Sequence, residues 1–264
     1  MSLQQTDKQK AFTCLSGTAL KIIGVLTMFI DHIGAVLLEV GVLRYQDPVY
    51  NARILGTAQG QLIENVDIML RSVGRMAFPI FCFLLVEGYV HTGNYRRYLR
   101  RMLIFALVSE VPFDLAVWNT PIYIQGQNIY FTLSIGLMTL YLLDRLKTVD
   151  IVQRGIMSGL IVAAAGLTAH LLRVDYGFSG VLLILLFYYL RGNRPFLFLA
   201  GAAMLILIEG SVFSLSFIIS MACICLYSGK RGRLRHKYLF YWFYPAHLLV
   251  LFAIRYMVMG VALG

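Results

Sequence analysis

A histidine lies in the middle of the first long apolar stretch of this 264-residue chain. The stretch, LKIIGVLTMFIDHIGAVLL, begins at Leu20 and ends at Leu38, and it carries Lys21 near its start and Asp31 and His32 well inside. An ionisable group in hydrocarbon costs roughly 3 kcal/mol or more, so it normally faces a partner or a wet cavity. Because imidazole titrates near neutral pH, His32 is a candidate general base.

The spacing between Lys21 and His32 places both on one helix face. They are eleven positions apart, which is about three helical turns and about 16 Å along the axis. One helix would therefore present a cation near one membrane surface and an imidazole deeper inside. In the simpler alternative Lys21 snorkels to the interface, and the Asp31–His32 pair contacts neighbouring helices.

Ionisable residues recur at four-residue spacing in later apolar stretches. Arg71 and Arg75 form one such pair, and Glu110 and Asp114 form another, with Pro112 between them. Residues four apart share a helix face, and proline frees a backbone carbonyl within its helix. If the N terminus is cytoplasmic, these side chains lie in the outer half of the membrane, near His32.

We expect this outer cluster to do chemistry, with His32 as the base. A carboxylate from Asp31, Glu110 or Asp114 would orient the imidazole, and Arg75 would stabilise an oxyanion or bind an anionic group. In the alternative interpretation the cluster is a neutralised ion-pair network that locks the helices. The candidate catalytic residues are His32, Asp31, Glu110, Asp114 and Arg75.

A second polar set is expected toward the inner face. Tyr241, Tyr244 and His247 recur at three-residue spacing and form one stripe of a helix. Together with the basic hinge that contains Arg96 and Arg97, they could accept a phosphate-rich ligand. In the alternative, the tyrosines form an aromatic belt at the membrane interface and the arginines only set the topology. The candidate ligand-binding residues are Lys21, Arg96, Arg97, Tyr241, Tyr244 and His247.

The composition is typical of an integral membrane protein. Hydrophobic residues make up 59% of the chain and charged residues 14%, against about a quarter charged in soluble domains. The net charge of +10 comes from residues between the apolar stretches, where lysine and arginine set topology, so no nucleic-acid partner is predicted.

The sequence predicts an all-α fold, a polytopic integral membrane helical bundle with a cytoplasmic N terminus. Its length allows about nine or ten transmembrane helices. Residues 1–17 would form a cytoplasmic N-terminal segment, and residues 18–264 a single transmembrane domain.

The four cysteines lack the spacing of a metal or disulfide site, so no metal is predicted. Hydrolase and NTPase motifs are absent from the sequence.

Five phrases of the sequence resemble the TraX family, in order from Leu20 to Arg255. They are LKIIGVLTMFIDHIG, LRSVGRMAFPIFCFLLVEGYVHT, ALVSEVPFDLA, VDYGFSGVLL and KYLFYWFYPAHLLVLFAIR. That family is named for a membrane protein that N-acetylates the pilin subunit of conjugative pili. It is similar in turn to the wider transmembrane acyltransferases, in which ten residues separate a basic residue from a histidine on the first helix, as they separate Lys21 from His32.

The resemblance implies acyl transfer across a bacterial cytoplasmic membrane. Acetyl-CoA would be the acyl donor, with its phosphates near Lys21 and the inner basic residues. His32 would deprotonate an amine or hydroxyl acceptor at the outer face. The acceptor would be a peptide N terminus, a sugar or an envelope polymer, and the other partner is membrane lipid.

A multipass transporter or exporter is the alternative function, in which the same ionisable residues form a relay. Transporters often have two halves with broken helices in matching positions. Pro79, Pro112 and Pro245 do not fall into two matching halves of this chain, which favours the acyltransferase.

Overall fold

The computed structural model describes residues 14–233 and 237–259. Helices dominate these ranges, which contain isolated β-bridges but no β-strand. The all-α fold predicted from the sequence is therefore confirmed. Most of the predicted N-terminal segment, residues 1–17, lies outside the described residues.

The helices follow one another with short connections. The first group consists of α1 (Gly17–His32), the π-helix π1 (Ile33–Leu43), α2 (Pro48–Leu55), α3 (Ala58–Gly74), α4 (Ala77–Val90), α5 (Tyr95–Phe113) and the π-helix π2 (Asp114–Trp118). The second group consists of α6 (Ile129–Arg145), α7 (Ile151–Leu171), α8 (Gly177–Leu190), α9 (Arg194–Glu209), α10 (Ser214–Cys225) and α11 (Lys237–Met259).

Several of these helical stretches can cross a membrane by length and composition. Five long ones are found in the described residues, namely Gly17–Leu43, Ala58–Val90, Ile129–Thr148, Ile151–Leu171 and Tyr238–Val258. Gly177–Leu190 and Ser211–Cys225 are shorter and also apolar. The protein is a multi-pass membrane helical protein, while the count of nine or ten spans and the cytoplasmic N terminus stay predictions.

Polar caps determine where the early helices begin. The Asp47 carboxylate accepts the Tyr50 N–H at 3.0 Å, with Pro48 at the first helical position. The Thr57 hydroxyl accepts the Gly60 N–H at 3.0 Å. Such caps satisfy N–H groups that have no partner within the helix. The segment 41–67 therefore contains α2 and the start of α3.

Residue contacts divide the chain into two compact units. The first comprises Met1–Phe81, Pro112–Pro121 and Leu205–Gly264, as far as these ranges are described. The second comprises Cys82–Val111 and Ile122–Met204. The single transmembrane domain predicted for residues 18–264 stays a prediction.

In the first unit a fully buried arginine ties the last helix to π2. The Arg255 guanidinium donates to the carbonyl oxygens of Ala116 at 2.6 Å and Leu115 at 2.9 Å. It also donates to the Asn119 side-chain oxygen at 2.9 Å. The carbonyl end of a helix carries partial negative charge, so a cation there is favourable.

In the second unit a carboxylate joins three helices. Asp144 of α6 accepts the hydroxyl of Tyr89 from α4 at 2.6 Å and that of Tyr188 from α8 at 2.5 Å. The Lys147 ammonium lies 2.6 Å from the same carboxylate. Bonds to a charged acceptor are stronger than those between neutral groups, so Asp144 holds this end of the unit together.

Replacing the buried Arg255 by methionine should destabilise the protein because its three acceptors lose their donor. Arg255→Met should cost about 3 kcal/mol, whereas the exposed Arg154→Met should change stability by less than about 0.5 kcal/mol. Thermal unfolding in detergent, followed by circular dichroism, measures both. Equal melting temperatures for the two variants would contradict this account.

Candidate functional site

His32 stands at the junction of two kinds of helix. It is the last residue of α1, and π1 begins at the next residue and continues for 11 residues. Most π-helices are single-turn insertions, and they occur frequently at functional sites. A π-helix of this length therefore marks the surroundings of His32 as a candidate site.

A second histidine, His247 of α11, is hydrogen-bonded to His32. His247 Nε2 lies 2.8 Å from His32 Nδ1. On its other side, His247 Nδ1 lies 2.7 Å from the Phe243 carbonyl oxygen. His247 is 5% exposed, so its ring is held by these two contacts and by its packing.

These contacts determine which ring nitrogens carry hydrogen in the neutral pair. A carbonyl oxygen only accepts, so His247 Nδ1 donates to Phe243 and His247 Nε2 keeps its lone pair. His32 Nδ1 must then donate to that lone pair. The Met28 carbonyl, four residues before His32, is also within hydrogen-bonding reach of its ring. His32 Nε2 is left with a free lone pair, which is what a general base needs.

Aromatic rings surround the two histidines. Phe243 stacks on His247 with ring centroids 4.7 Å apart. Tyr244 meets the His32 ring edge-on at 5.8 Å, and Phe29 meets His247 at 6.0 Å. Because these rings restrict rotation of both imidazoles, the geometry of the pair is preorganised.

The partner of His32 was predicted to be a carboxylate, and the structure places His247 there. Asp31 instead forms an ion pair with Arg71, and Asp114 is buried at the start of π2. His247 and Tyr244 were predicted to bind the donor, and the structure places both beside His32. Sequence reasoning missed their proximity because the two histidines are 215 positions apart.

Arg71 is the centre of a charge network next to His32. It binds the Asp31 carboxylate and also lies 3.1 Å, measured from Nε, from Glu39 of π1. Asp67, which is 3% exposed, lies within hydrogen-bonding reach of Glu39. Asp67 Oδ1 has no hydrogen-bond partner among the described residues, and it packs against Gly34 of π1. Sequence reasoning missed Glu39 and Asp67. The spacing could have indicated Asp67, because it is four residues before Arg71 and residues four apart share a helix face.

Arg75 was predicted to stabilise an oxyanion and is engaged by protein groups. Its Nε lies 3.3 Å from the Glu209 carboxylate, and its guanidinium lies 5.2 Å from the Phe213 ring centroid. The oxyanion role of Arg75 stays a prediction.

Three predicted residues belong to the second unit. The Glu110 carboxylate accepts the side-chain amide of Asn128, which also donates to the Ala106 carbonyl at 2.8 Å. Arg96 and Arg97 are exposed in the first turn of α5. Their convergence with His32 or with a donor molecule stays a prediction.

Lys21 lies in the first turn and a half of α1 and is half-buried; its position at the inner end of that helix stays a prediction. Its ammonium is 5.4 Å from the ring centroid of Phe240 in α11. Tyr241 is half-buried on the same helix. The helix with the predicted cation and the helix with the tyrosine stripe are therefore neighbours.

Comparison with known proteins shows the family of the chain. The family model described as TraX protein matches residues 16–255, which include His32, Arg71 and His247. The chain belongs to the TraX family. A relative from Dichelobacter nodosus, described as probable fimbrial assembly protein FimC, serogroup H1, is 29% identical over 259 residues, covering 89% of this chain and 94% of the relative. No solved structure matches this TraX protein.

The hydrogen bond between the histidines can be tested by magnetic resonance. In protein with ¹⁵N-labelled histidine, both rings should carry hydrogen on Nδ1, and a coupling should connect His32 Nδ1 with His247 Nε2. His247→Phe should remove the coupling, whereas the exposed His91→Phe should retain it. Hydrogen on His32 Nε2 in the neutral protein would contradict the assignment.

A glycine substitution tests the packing behind His32. A Cβ atom on Gly74 would overlap the side chain of Asp31, so Gly74→Ala should cost about 2 kcal/mol by overpacking. A Cβ on Gly159 would meet nothing within 4 Å, and Gly159→Ala should be neutral or stabilising by about 0.5–1 kcal/mol. Thermal unfolding in detergent compares the two variants, and equal destabilisation would show that Asp31 is not held against α3.

Proposed function

We propose that this TraX protein is a membrane acyltransferase that moves an acetyl group from cytoplasmic acetyl-CoA to an amine or hydroxyl acceptor at the outer face. The observation that carries the proposal is the hydrogen-bonded pair of His32 and His247. A base held by a second group, with its lone pair directed away from that group, is the arrangement that nucleophilic acyl transfer requires.

The proposed reaction uses His32 as base and then as acid. His32 Nε2 removes a proton from the acceptor nitrogen or oxygen as that atom attacks the thioester carbonyl carbon. The tetrahedral intermediate collapses, the carbon–sulfur bond breaks, and the thiolate takes the proton from His32. No net proton is consumed or released when the acceptor enters as a neutral group.

His247 would stabilise the cationic stage of this cycle. When His32 is protonated on both nitrogens, its Nδ1–H still donates to His247 Nε2, and His247 still donates to the Phe243 carbonyl. The proton therefore arrives without any rearrangement of the hydrogen bonds, which lowers the cost of charging a base inside the membrane. Arg71 would hold Asp31 away from the imidazole, so that no carboxylate competes for Nδ1.

The acceptor is suggested by the relative rather than by the site. The Dichelobacter nodosus protein is described as a probable fimbrial assembly protein. A fimbrial subunit is therefore the first acceptor that we would test, and its N-terminal amine is the group that fits a base-catalysed transfer. Sugars and envelope polymers are the alternatives.

A transporter with an ionisable relay remains the second candidate. The observation in its favour is the network of Asp31, Arg71, Glu39 and Asp67, because charges of both signs within membrane-spanning helices also mark ion pathways. A transporter would need this network to function, whereas acyl transfer needs the histidine pair.

Acyl transfer can be measured in proteoliposomes with acetyl-CoA labelled in its acetyl group. His32→Gln should lower the transfer rate at least about 100-fold, and His247→Phe should lower it about 10-fold or more, because a positioned base contributes factors of this size. The exposed His91→Gln serves as the matched control. Full activity in His32→Gln would show that His32 is not the base. The absence of thioester cleavage by the wild type as well as by the variants would favour the transporter.

A further inference from the structure

A short basic loop is fixed against the beginning of α1. Residues 228–233 connect α10 toward α11, and their backbone pairs with the first helical turn. The Gly17 N–H donates to the Lys230 carbonyl at 2.8 Å, and the Thr18 N–H donates to the Arg231 carbonyl at 3.0 Å. The Thr18 hydroxyl also donates to the Arg231 carbonyl, at 3.1 Å. The backbone positions of both basic residues are therefore held.

Glycines allow the loop to approach this closely. Gly229 and Gly232 have φ angles of 74° and 87°, which are disfavoured for residues with a Cβ atom. A Cβ on Gly232 would lie 2.5 Å from the Thr18 hydroxyl and 2.9 Å from the Ser16 hydroxyl. The close contact with α1 thus requires glycine at this position.

The side chains of the loop leave an excess of positive charge. Lys230, Arg231 and Arg233 are exposed, and Arg231 lies close enough to Lys21 for their charges to repel. Throughout the described ranges, none of these four cations forms an ion pair with a carboxylate. Like charges held on a fixed backbone repel each other, and a multiply charged anion would relieve that repulsion.

We propose that Lys21, Lys230 and Arg231 form a binding surface for a phosphate-rich anion, namely the phosphorylated nucleotide end of the acyl donor. This inference rests on the proposed function and assigns the donor to one place on the first unit. The surface lies at the beginning of α1 and His32 at the end of the same helix, and Lys21 and His32 are about 16 Å apart along its axis. A donor bound there would extend along α1 toward the base.

The arginines that the sequence suggested for the same role make a matched control. Arg96 and Arg97 carry the same total charge as Lys230 and Arg231, and all four are exposed. They belong to the second unit, whereas α1 and the basic loop belong to the first. Removing two charges from either place changes the net charge of the protein equally.

The test measures binding of adenosine 3′,5′-bisphosphate by calorimetry to the full chain in nanodiscs of phosphatidylcholine. The double variant Lys230→Gln/Arg231→Gln should weaken binding about tenfold or more, which corresponds to about 1.4 kcal/mol. Lys21→Gln should weaken it as well. Arg96→Gln/Arg97→Gln should change the affinity less than about twofold, since 0.4 kcal/mol is about twofold.

Three results would overturn the assignment. One is weaker binding only in Arg96→Gln/Arg97→Gln, which would move the donor site without touching the role of His32. Another is the absence of binding by the wild type. The third, measured in a parallel experiment with phosphatidylglycerol added to the nanodiscs, is binding of this lipid at the loop that the nucleotide does not displace, which would make the surface a lipid headgroup site. Acyl transfer measured separately shows whether the proposed function survives each of these results.

Discussion

Hydrocarbon offers no hydrogen bonds, so each polar side chain inside a membrane protein must find its partner within the chain. The first unit meets this constraint in three ways. Arg71 is shared by two carboxylates, Arg255 is shared by two carbonyl oxygens and an amide, and two histidines bind each other. Each arrangement joins helices that are far apart in the sequence, so the polar contacts determine how the helices pack.

The same constraint prepares the base. In water an imidazole exchanges hydrogen between its two nitrogens. In the protein, His32 Nδ1 faces the Nε2 atom of His247, and His247 Nδ1 faces a backbone carbonyl oxygen, which can only accept. The direction of donation is therefore set by the Phe243 carbonyl. Because His247 accepts the hydrogen bond from His32 Nδ1, the other ring nitrogen of His32, Nε2, keeps a lone pair that can accept a proton.

Local features of this structure were predictable from the sequence, and the pairing of distant residues was not. The apolar stretches and the polar positions of α1 depend on neighbours within a few residues. Depth and face can be read from helical periodicity, so His32 was found as a candidate base. Which polar group meets it depends on how helices assemble. The carboxylates of Asp31, Glu110 and Asp114 were expected near His32 in the outer half, whereas His247 was expected toward the inner face. The sequence prediction chose a carboxylate as the group that orients the base, and the structure has the imidazole of His247.

The length of π1 matters as much as its composition. In π1 the backbone bonds connect each residue with the fifth one along, whereas the α-helix connects the fourth. A chain shortened by one residue within π1 could return to the α-helical pattern, and the later side chains of this segment would then point in other directions than they do now. Glu39 would leave Arg71, although Asp31 would stay in contact. Loss of a single codon here would thus be more damaging than most substitutions in the same segment.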